Sequence, residues 1–301
     1  MPPKMLLNEK IGYCDQILRL SISRQIRKEA AKLPVRWHVH KEFELLLVEE
    51  GNVEIRLTDA TYLLNPGDVL VIGPMEPHVT WRIHSDKLVY FVLHFDLQPY
   101  LDSATLMHHR FFFDPENPIS SVNRLFQADG HLRKRIGDTI ISIYEEMKER
   151  AIGYEMAVSL LVKQLMLLIL RSNPEMQALN QNRPSAVLRN VIDYVENHLS
   201  EKIDMLEISK MANMSYHHFS KYFKKVMGLS FVEYVNMRRI KRAENLLLSE
   251  SVNVSEIARK VGMTNMTRFY ELFKHYNQCS PKEFVQKFHP SLRPGRENMN
   301  L

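Results

Sequence analysis

Two groups of residues in this 301-residue chain have types and spacings that could do chemistry. The first is cationic and lies in the C-terminal third. Residues 185–301 hold 18 Lys and Arg against 12 Asp and Glu, while the whole chain has a net charge of only +5. The basic surplus therefore sits at that end, which suits a polyanionic partner. A surplus of this size occurs in many domains that bind no polyanion, so charge alone does not decide. The second group is the run His38-Val39-His40-Lys41-Glu42-Phe43-Glu44, followed by His78. Cys14 and Cys279 are the only cysteines and form no CxxC pair. No structural disulfide is expected, and a reducing cytoplasm is the default setting.

The cationic residues are positioned by a repeat. Asp204-Met205-Leu206-Glu207-Ile208 matches Asn253-Val254-Ser255-Glu256-Ile257. Each opens on an Asp or Asn N-cap with Glu three residues later, a capping-box arrangement. Asn213 and Gly262 follow at equivalent positions, and these types best accept the left-handed conformation of a tight turn between helices. Ser215 and Thr264, or Asn265, then cap the next helices. Past the turn the offset grows by one residue. Phe219 aligns with Phe269, Phe223-Lys224 with Phe273-Lys274, and Ser230 to Tyr234 with Ser280 to Phe284.

The pattern predicts helix, tight turn, helix, twice over. A long helix near 231–248 joins the units and carries Arg238, Arg239, Lys241 and Arg242. The second helix of each unit is suited to a major groove, and a stiff connector would set the two about 34 Å apart, one turn of DNA. An all-helical bundle with no DNA role explains the Phe and Ile positions. It does not explain the repeat with its flanking cations.

The N-terminal half has a different texture. Phe43 to Val48, Val53 to Leu57, Val69 to Ile72 and Leu88 to Phe95 read as short strands separated by Gly and Pro turns, which predicts an antiparallel barrel or sandwich. From Leu132 the period becomes helical. Ile136, Ile140, Ile143, Tyr144 and Met147 form one stripe, and Met156, Leu160, Leu161, Leu165 and Leu168 the next. Such helices either pack on their own sheets or form a dimer interface, and the pattern leaves both open. Asn173-Pro174 through Arg183-Pro184-Ser185 is polar and Pro-bounded, as a linker would be. No apolar run approaches the roughly 20 residues that span a bilayer, and no signal-peptide core is visible, so a cytoplasmic protein without a membrane partner is expected.

With these residues placed, 208–288 resembles the DNA-binding domain of the AraC/XylS family of bacterial regulators. The resemblance rests on Arg239-Ile240-Lys241-Arg242-Ala243 with Leu246-Leu247, on Val254-Ser255-Glu256-Ile257-Ala258 with Val261-Gly262-Met263, and on Phe269, Phe273-Lys274 and Ser280-Pro281. It implies base-facing positions at His217, Ser220 and Lys221 in the first recognition helix. In the second it implies Met266, Thr267, Arg268, Tyr270 and Glu271. Phe219, Phe223, Phe269 and Phe273 are expected in the core. Two residues depart from the family pattern. Glu271 stands where an Arg is usual, and Gln278 where a Gly is usual.

Residues 30–100 are similar to the cupin motifs. His38-Val39-His40 through Glu44 to Gly51 matches the first, and Gly67-Asp68 through Pro74 to His78 the second, with Gly73 and Met75 departing from it. In metal-binding cupins the positions of His38, His40, Glu44 and His78 are ligands, a set that suits Fe, Mn, Zn or Ni. Regulators of the family above often keep such residues without a metal. The expectation is therefore an effector pocket of Trp37, His38, His40, Glu44, His78 and Trp81, with no resident metal or other cofactor.

The chain is thus read as an α+β two-domain protein. A cupin-like β-barrel with dimerisation helices spans 1–172, a linker 173–185, an all-α domain with two helix-turn-helix units 186–290, and a tail 291–301. The expected partners are double-stranded DNA, a small-molecule effector such as a sugar or metabolite, a second copy in a homodimer and, for an activator, RNA polymerase. No catalytic residue is expected. The competing reading is a metal-dependent cupin enzyme with a helical C-terminal domain, which would have no need of the double repeat.

Overall fold

The computed structural model describes residues 6–28, 36–102, 105, 108–114, 117–173, 186–249 and 253–288. The chain divides into two compact units, Met1–Arg183 and Pro184–Leu301. Most of the expected linker and all of the expected tail lie outside the described residues.

The first unit contains nine described strands: β1 (Leu7–Asn8), β2 (Leu20–Lys28), β3 (His38–Val39), β4 (Phe43–Glu50), β5 (Val53–Leu57), β6 (Thr61–Leu64), β7 (Val69–Ile72), β8 (His78–Ile83) and β9 (Lys87–Phe95). They form two sheets, ordered β1-β3-β8-β5-β6 and β2-β9-β4-β7. The expected barrel is therefore two separately hydrogen-bonded sheets, because short turns pass the chain from one to the other. Gly51 makes the first such turn at φ 85°, and a Cβ there would lie 2.2 Å from the Lys87 carbonyl oxygen. Residues 65–68 make the second.

Alternation along the strands builds the interior between the sheets. Val53, Ile55, Leu57, Tyr62, Leu64 and Ile83 from one sheet meet Leu46, Val48, Leu70, Ile72 and Leu88 from the other. Strand β2 lies ahead of the region read as strands. Its Leu20 and Ile22 alternate with polar residues, and it pairs with β9 along its full length.

Helices flank the second sheet, the first three on its strands and the fourth on the third helix. They are α1 (His109–Phe112), α2 (Asn123–Ala128), α3 (Gly130–Glu149) and α4 (Tyr154–Ser172). The Asn123 side chain accepts from the Val71 N–H and donates to its carbonyl, both at 2.8 Å, closing the edge of β7. Helix α3 buries Ile136, Ile140, Ile143 and Met147, as its stripe predicts. Helix α4 corrects the second stripe. Leu165 and Leu168 are buried with Val158, Val162, Met166 and Ile169, while Met156 and Leu160 are 68% and 64% exposed. The residues grouped in sequence belong to two faces, because Leu160 and Leu165 are five apart and so lie about 140° apart on a helix.

The second unit is helical: α5 (Ala186–Asn197), α6 (Met205–Met211), α7 (Tyr216–Met227), α8 (Phe231–Ser249), α9 (Val254–Lys260), α10 (Met266–Asn277) and α11 (Pro281–Phe288). The expected repeat is visible in its caps. Asp204 and Asn253 accept from Leu206 and Glu256 amides at the starts of α6 and α9. Ser215 and Asn265, not Thr264, cap α7 and α10. The two-way capping boxes lie elsewhere than expected. Ser230 with Glu233 and Ser280 with Glu283 exchange both bonds, because there the Glu carboxylate reaches back to the serine amide.

The turns are left-handed at Asn213 (φ 53°) and Gly262 (φ 74°). The C-caps of α7 and α10 are left-handed too, at Gly228 and Gln278. Gln278 thus occupies a conformation that glycine adopts without strain, which is the physical content of its departure from the family pattern. Phe219, Phe223, Phe269 and Phe273 are fully buried. Among the described residues, no helix is long and apolar enough to cross a membrane.

A Cβ at Gly262 would stand 2.5 Å from the Leu199 carbonyl oxygen, in addition to its positive φ. Gly262→Ala is therefore expected to lower the thermal midpoint of the helical unit by about 5 °C or more. Gln278→Gly is expected to raise it by a few degrees, and calorimetry of the full chain reads both.

Candidate functional site

Strand pairing brings the histidines together. His38 on β3 lies opposite His78 on β8 in the first sheet. Glu44 on β4 lies opposite His94 on β9 in the second. His40, in the short connection from β3 to β4, completes the group and is buried. Three imidazoles converge on one oxygen, Oε2 of Glu44: His40 Nε2 at 2.9 Å, His78 Nε2 at 3.2 Å and His94 Nε2 at 3.3 Å. Donor atoms of His38, His40, Glu44 and His78 all lie within 4.8 Å of one another.

The far ring nitrogens show how these imidazoles are held. Nδ1 faces a backbone carbonyl in His38 (Arg36, 3.1 Å), His40 (Glu42, 3.0 Å) and His78 (Glu76, 2.8 Å). A carbonyl only accepts, so each Nδ1 carries the proton and donates it. In a neutral ring Nε2 is then a lone pair. The Nε2 of His78 is buried and has no hydrogen-bond partner. Ring orientation by Nδ1–H to a carbonyl, with Nε2 free and a carboxylate beside it, is the arrangement that metal-ligating histidines adopt. The four residues fit a first-row divalent ion by donor type and by proximity.

Charge in the cluster follows from burial and neighbours. Burial opposes ionisation of Glu44, but the flanking His40, His78 and His94 outweigh it and hold the carboxyl well below its ordinary range. Burial disfavours charge on His78 as well, yet Glu44 raises its pKa overall. His38 is pushed down by burial and by the neighbouring His78.

Trp37 and Trp81 do not join this cluster, which corrects the single expected pocket. Trp37 precedes His38 on an extended chain and so projects to the opposite face. Trp81 is the extra residue at the β5–β8 register shift, and its side chain is exposed. Both line a separate recess of about 440 Å³ with Arg56, Thr58, Asp59 and Thr61. The Arg56 guanidinium stacks 3.6 Å over Trp81 and is held by Glu54 at 2.8 Å. His94 was not among the expected residues. Its signal is its even spacing with Tyr90 and Val92, which pack on the inter-sheet interior.

In the helical unit, His217 and Lys221 are exposed on α7 and Ser220 is half-buried. On α10, Thr267, Arg268, Tyr270 and Glu271 are exposed. Met266 is half-buried against the helical core, so its side chain is spent on packing. Glu271 accepts from Arg268 Nη1 at 3.3 Å. On the connecting helix, Arg238 pairs with Glu196 at 2.6 Å, and Arg239 donates to the carbonyls of Leu199 and Glu201. These two cations hold α8 to the end of α5 and the segment that follows it.

The family model described as AraC-like ligand binding domain matches residues 26–166, and that described as helix-turn-helix domain matches 208–287. The regulatory protein PocR of Salmonella typhimurium is 25% identical over 182 residues, covering 58% of this chain and 60% of PocR. The uncharacterized HTH-type transcriptional regulator YisR of Bacillus subtilis is 24% identical over 259 residues, covering 82% and 86%. The solved C-terminal domain of AraT, a response regulator from Geobacillus stearothermophilus, is 26% identical with TM-score 0.35, covering 38% of this chain and 96% of that one. The N-terminal unit thus matches an AraC-like ligand binding domain and the C-terminal unit a helix-turn-helix domain, and transcriptional regulators are among the relatives.

Proposed function

We propose that the protein is a sequence-specific DNA-binding regulator that responds to an effector held between the N-terminal sheets. The repeated arrangement in the helical unit carries this reading. Two helix pairs, α6–α7 and α9–α10, share capped starts and left-handed turns, and each turns phenylalanines inward and polar side chains outward. Helices α7 and α10 would enter successive major grooves of double-stranded DNA. His217, Ser220 and Lys221 would contact bases or phosphates from the first unit, and Thr267, Arg268, Tyr270 and Glu271 from the second. The first unit would supply more of the affinity, because Glu271 presents a carboxylate near phosphates and occupies Arg268. Activation through RNA polymerase is the mode that the family resemblance favours.

A specific observation favours a second reading of the effector. The buried Nε2 of His78, 3.2 Å from Oε2 of Glu44 without a hydrogen bond to it, points to a divalent transition-metal ion at this cluster in place of a sugar. His38, His40, His78 and Glu44 would hold it. When bound, the ion supplies the positive charge that balances the buried Glu44 and ties the two sheets together at one end.

The partner copy in a homodimer would dock on the outward row of α4. Met156 and Leu160, with Ile152 before the helix and Leu167 further along it, are exposed on one side of this unit. Such a row is the seam that a second helix of the same kind covers. Sedimentation velocity should find the native chain dimeric and the Met156→Glu, Leu160→Glu double variant monomeric. A monodisperse native monomer at micromolar concentration, with and without DNA, counts against this interface.

Lys221→Ala should weaken DNA binding and make the log–log salt dependence shallower by about one unit, as loss of one phosphate contact requires. Fluorescence anisotropy across a salt series measures both. Unchanged affinity and slope remove Lys221 from the interface.

A further inference from the structure

We propose that His94 is a positioning residue of the cation site. It holds Glu44 ready for the ion by donating from Nε2 to Oε2, and it does not ligate the ion itself. This inference rests on the metal reading above and separates the roles of four histidines that surround one carboxylate.

The separation comes from where each ring spends its protons. His38, His40 and His78 each turn Nδ1 to a carbonyl two residues away along the chain. That fixes a proton on Nδ1, so in the neutral ring Nε2 is the lone pair that an ion would take, whereas His40 Nε2, 2.9 Å from Oε2 of Glu44, donates to it when the ring is protonated. Among the described residues, no carbonyl takes Nδ1 of His94. Its ring is therefore free to carry the proton on Nε2, which lies 3.3 Å from Oε2 of Glu44. A lone-pair donor suits an ion, and an N–H donor suits a carboxylate.

Position in the fold agrees. Two of the anchored histidines belong to the first sheet, while His94 sits beside Glu44 in the second, directly opposite it in the β4–β9 register. The atoms close enough to share one ion are those of His38, His40, Glu44 and His78, and His94 is outside that set. The His94 side chain is mostly buried, at 17% exposure, and its ring stands edge-on to His40 with centroids 5.1 Å apart. A carboxylate so held keeps its second oxygen and remaining lone pairs for the ion.

The test titrates Co²⁺, then Zn²⁺ in competition, into the full chain and its His94→Ala, His94→Gln and His78→Ala variants. Losing an outer partner of a ligand should weaken Co²⁺ binding roughly 10- to 100-fold in His94→Ala. The stoichiometry and the wavelength of the visible d–d bands should stay as in the native protein. His94→Gln, whose amide still donates, should recover most of the affinity. His78→Ala should alter the bands or lose binding altogether.

A changed d–d spectrum in His94→Ala makes His94 a ligand and overturns the proposal. Native affinity in His94→Ala overturns it as well. If that variant does not fold, as its metal-free melting curve will tell, His94→Gln decides alone: native bands support the proposal and altered bands overturn it. A native chain that binds neither ion ends the metal reading and this inference together. That outcome is distinct from a native chain that binds while its His94 variants misbehave.

Discussion

A carboxylate with almost no access to water sets the terms for the N-terminal unit. Glu44 is 7% exposed, and an ion buried without compensation costs several kcal/mol. The compensation must come from side chains delivered by separate elements. His94 arrives by pairing of β9 with β4 in the same sheet, His78 from β8 in the other sheet, and His40 from the connection between β3 and β4. The pairing register is therefore tied to the chemistry. A one-residue slip in β8 or β9 would turn His78 or His94 to the opposite face and leave the charge stranded. The cluster of Leu46, Val53, Ile55 and their neighbours between the sheets is otherwise apolar, Tyr62 being its one buried aromatic among the described residues, so the buried charge is confined to the histidine end.

The helical unit is governed by backbone geometry more than by charge. Left-handed turns at Asn213 and Gly262 fix how α6 meets α7 and α9 meets α10, and left-handed C-caps at Gly228 and Gln278 fix how α7 leads into α8 and α10 into α11. The exposed faces then differ in what they offer. On α7 the cation Lys221 is exposed and available to a polyanion. On α10 the exposed cation Arg268 is already engaged by Glu271. An exposed pair of this spacing is worth only about 0.3–0.5 kcal/mol, so DNA can break it, but the arginine pays that amount first. The cations on the connecting helix are unequal too. Arg238 and Arg239 serve the fold, which removes them from the basic surplus that first suggested a polyanion.

Much of this was legible in the residues. Asn213 and Gly262 announced the two turns because few other types accept a positive φ. The inward phenylalanines followed from the period of the repeat. The histidines were found because His38 and His40 are close in sequence. His94 escaped because its place opposite Glu44 depends on a pairing between strands some fifty residues apart, which local pattern does not encode. Trp37 and Trp81 were grouped with the cluster by proximity in sequence, although alternation sends Trp37 to the other face and a register shift carries Trp81 outward. Helix α4 misled for a related reason. It is apolar on more than one side, and which side is covered depends on its packing against α3, which the residues of α4 alone do not show.

The proposed function requires α7 and α10 to act together on DNA. Selection of bound fragments from a random double-stranded library, using the full chain, tests that most directly. Two helices in successive major grooves should enrich a site with two conserved segments about 10 base pairs apart, the groove spacing on one face. Failure to enrich any sequence, with binding that simply tracks ionic strength, would contradict it.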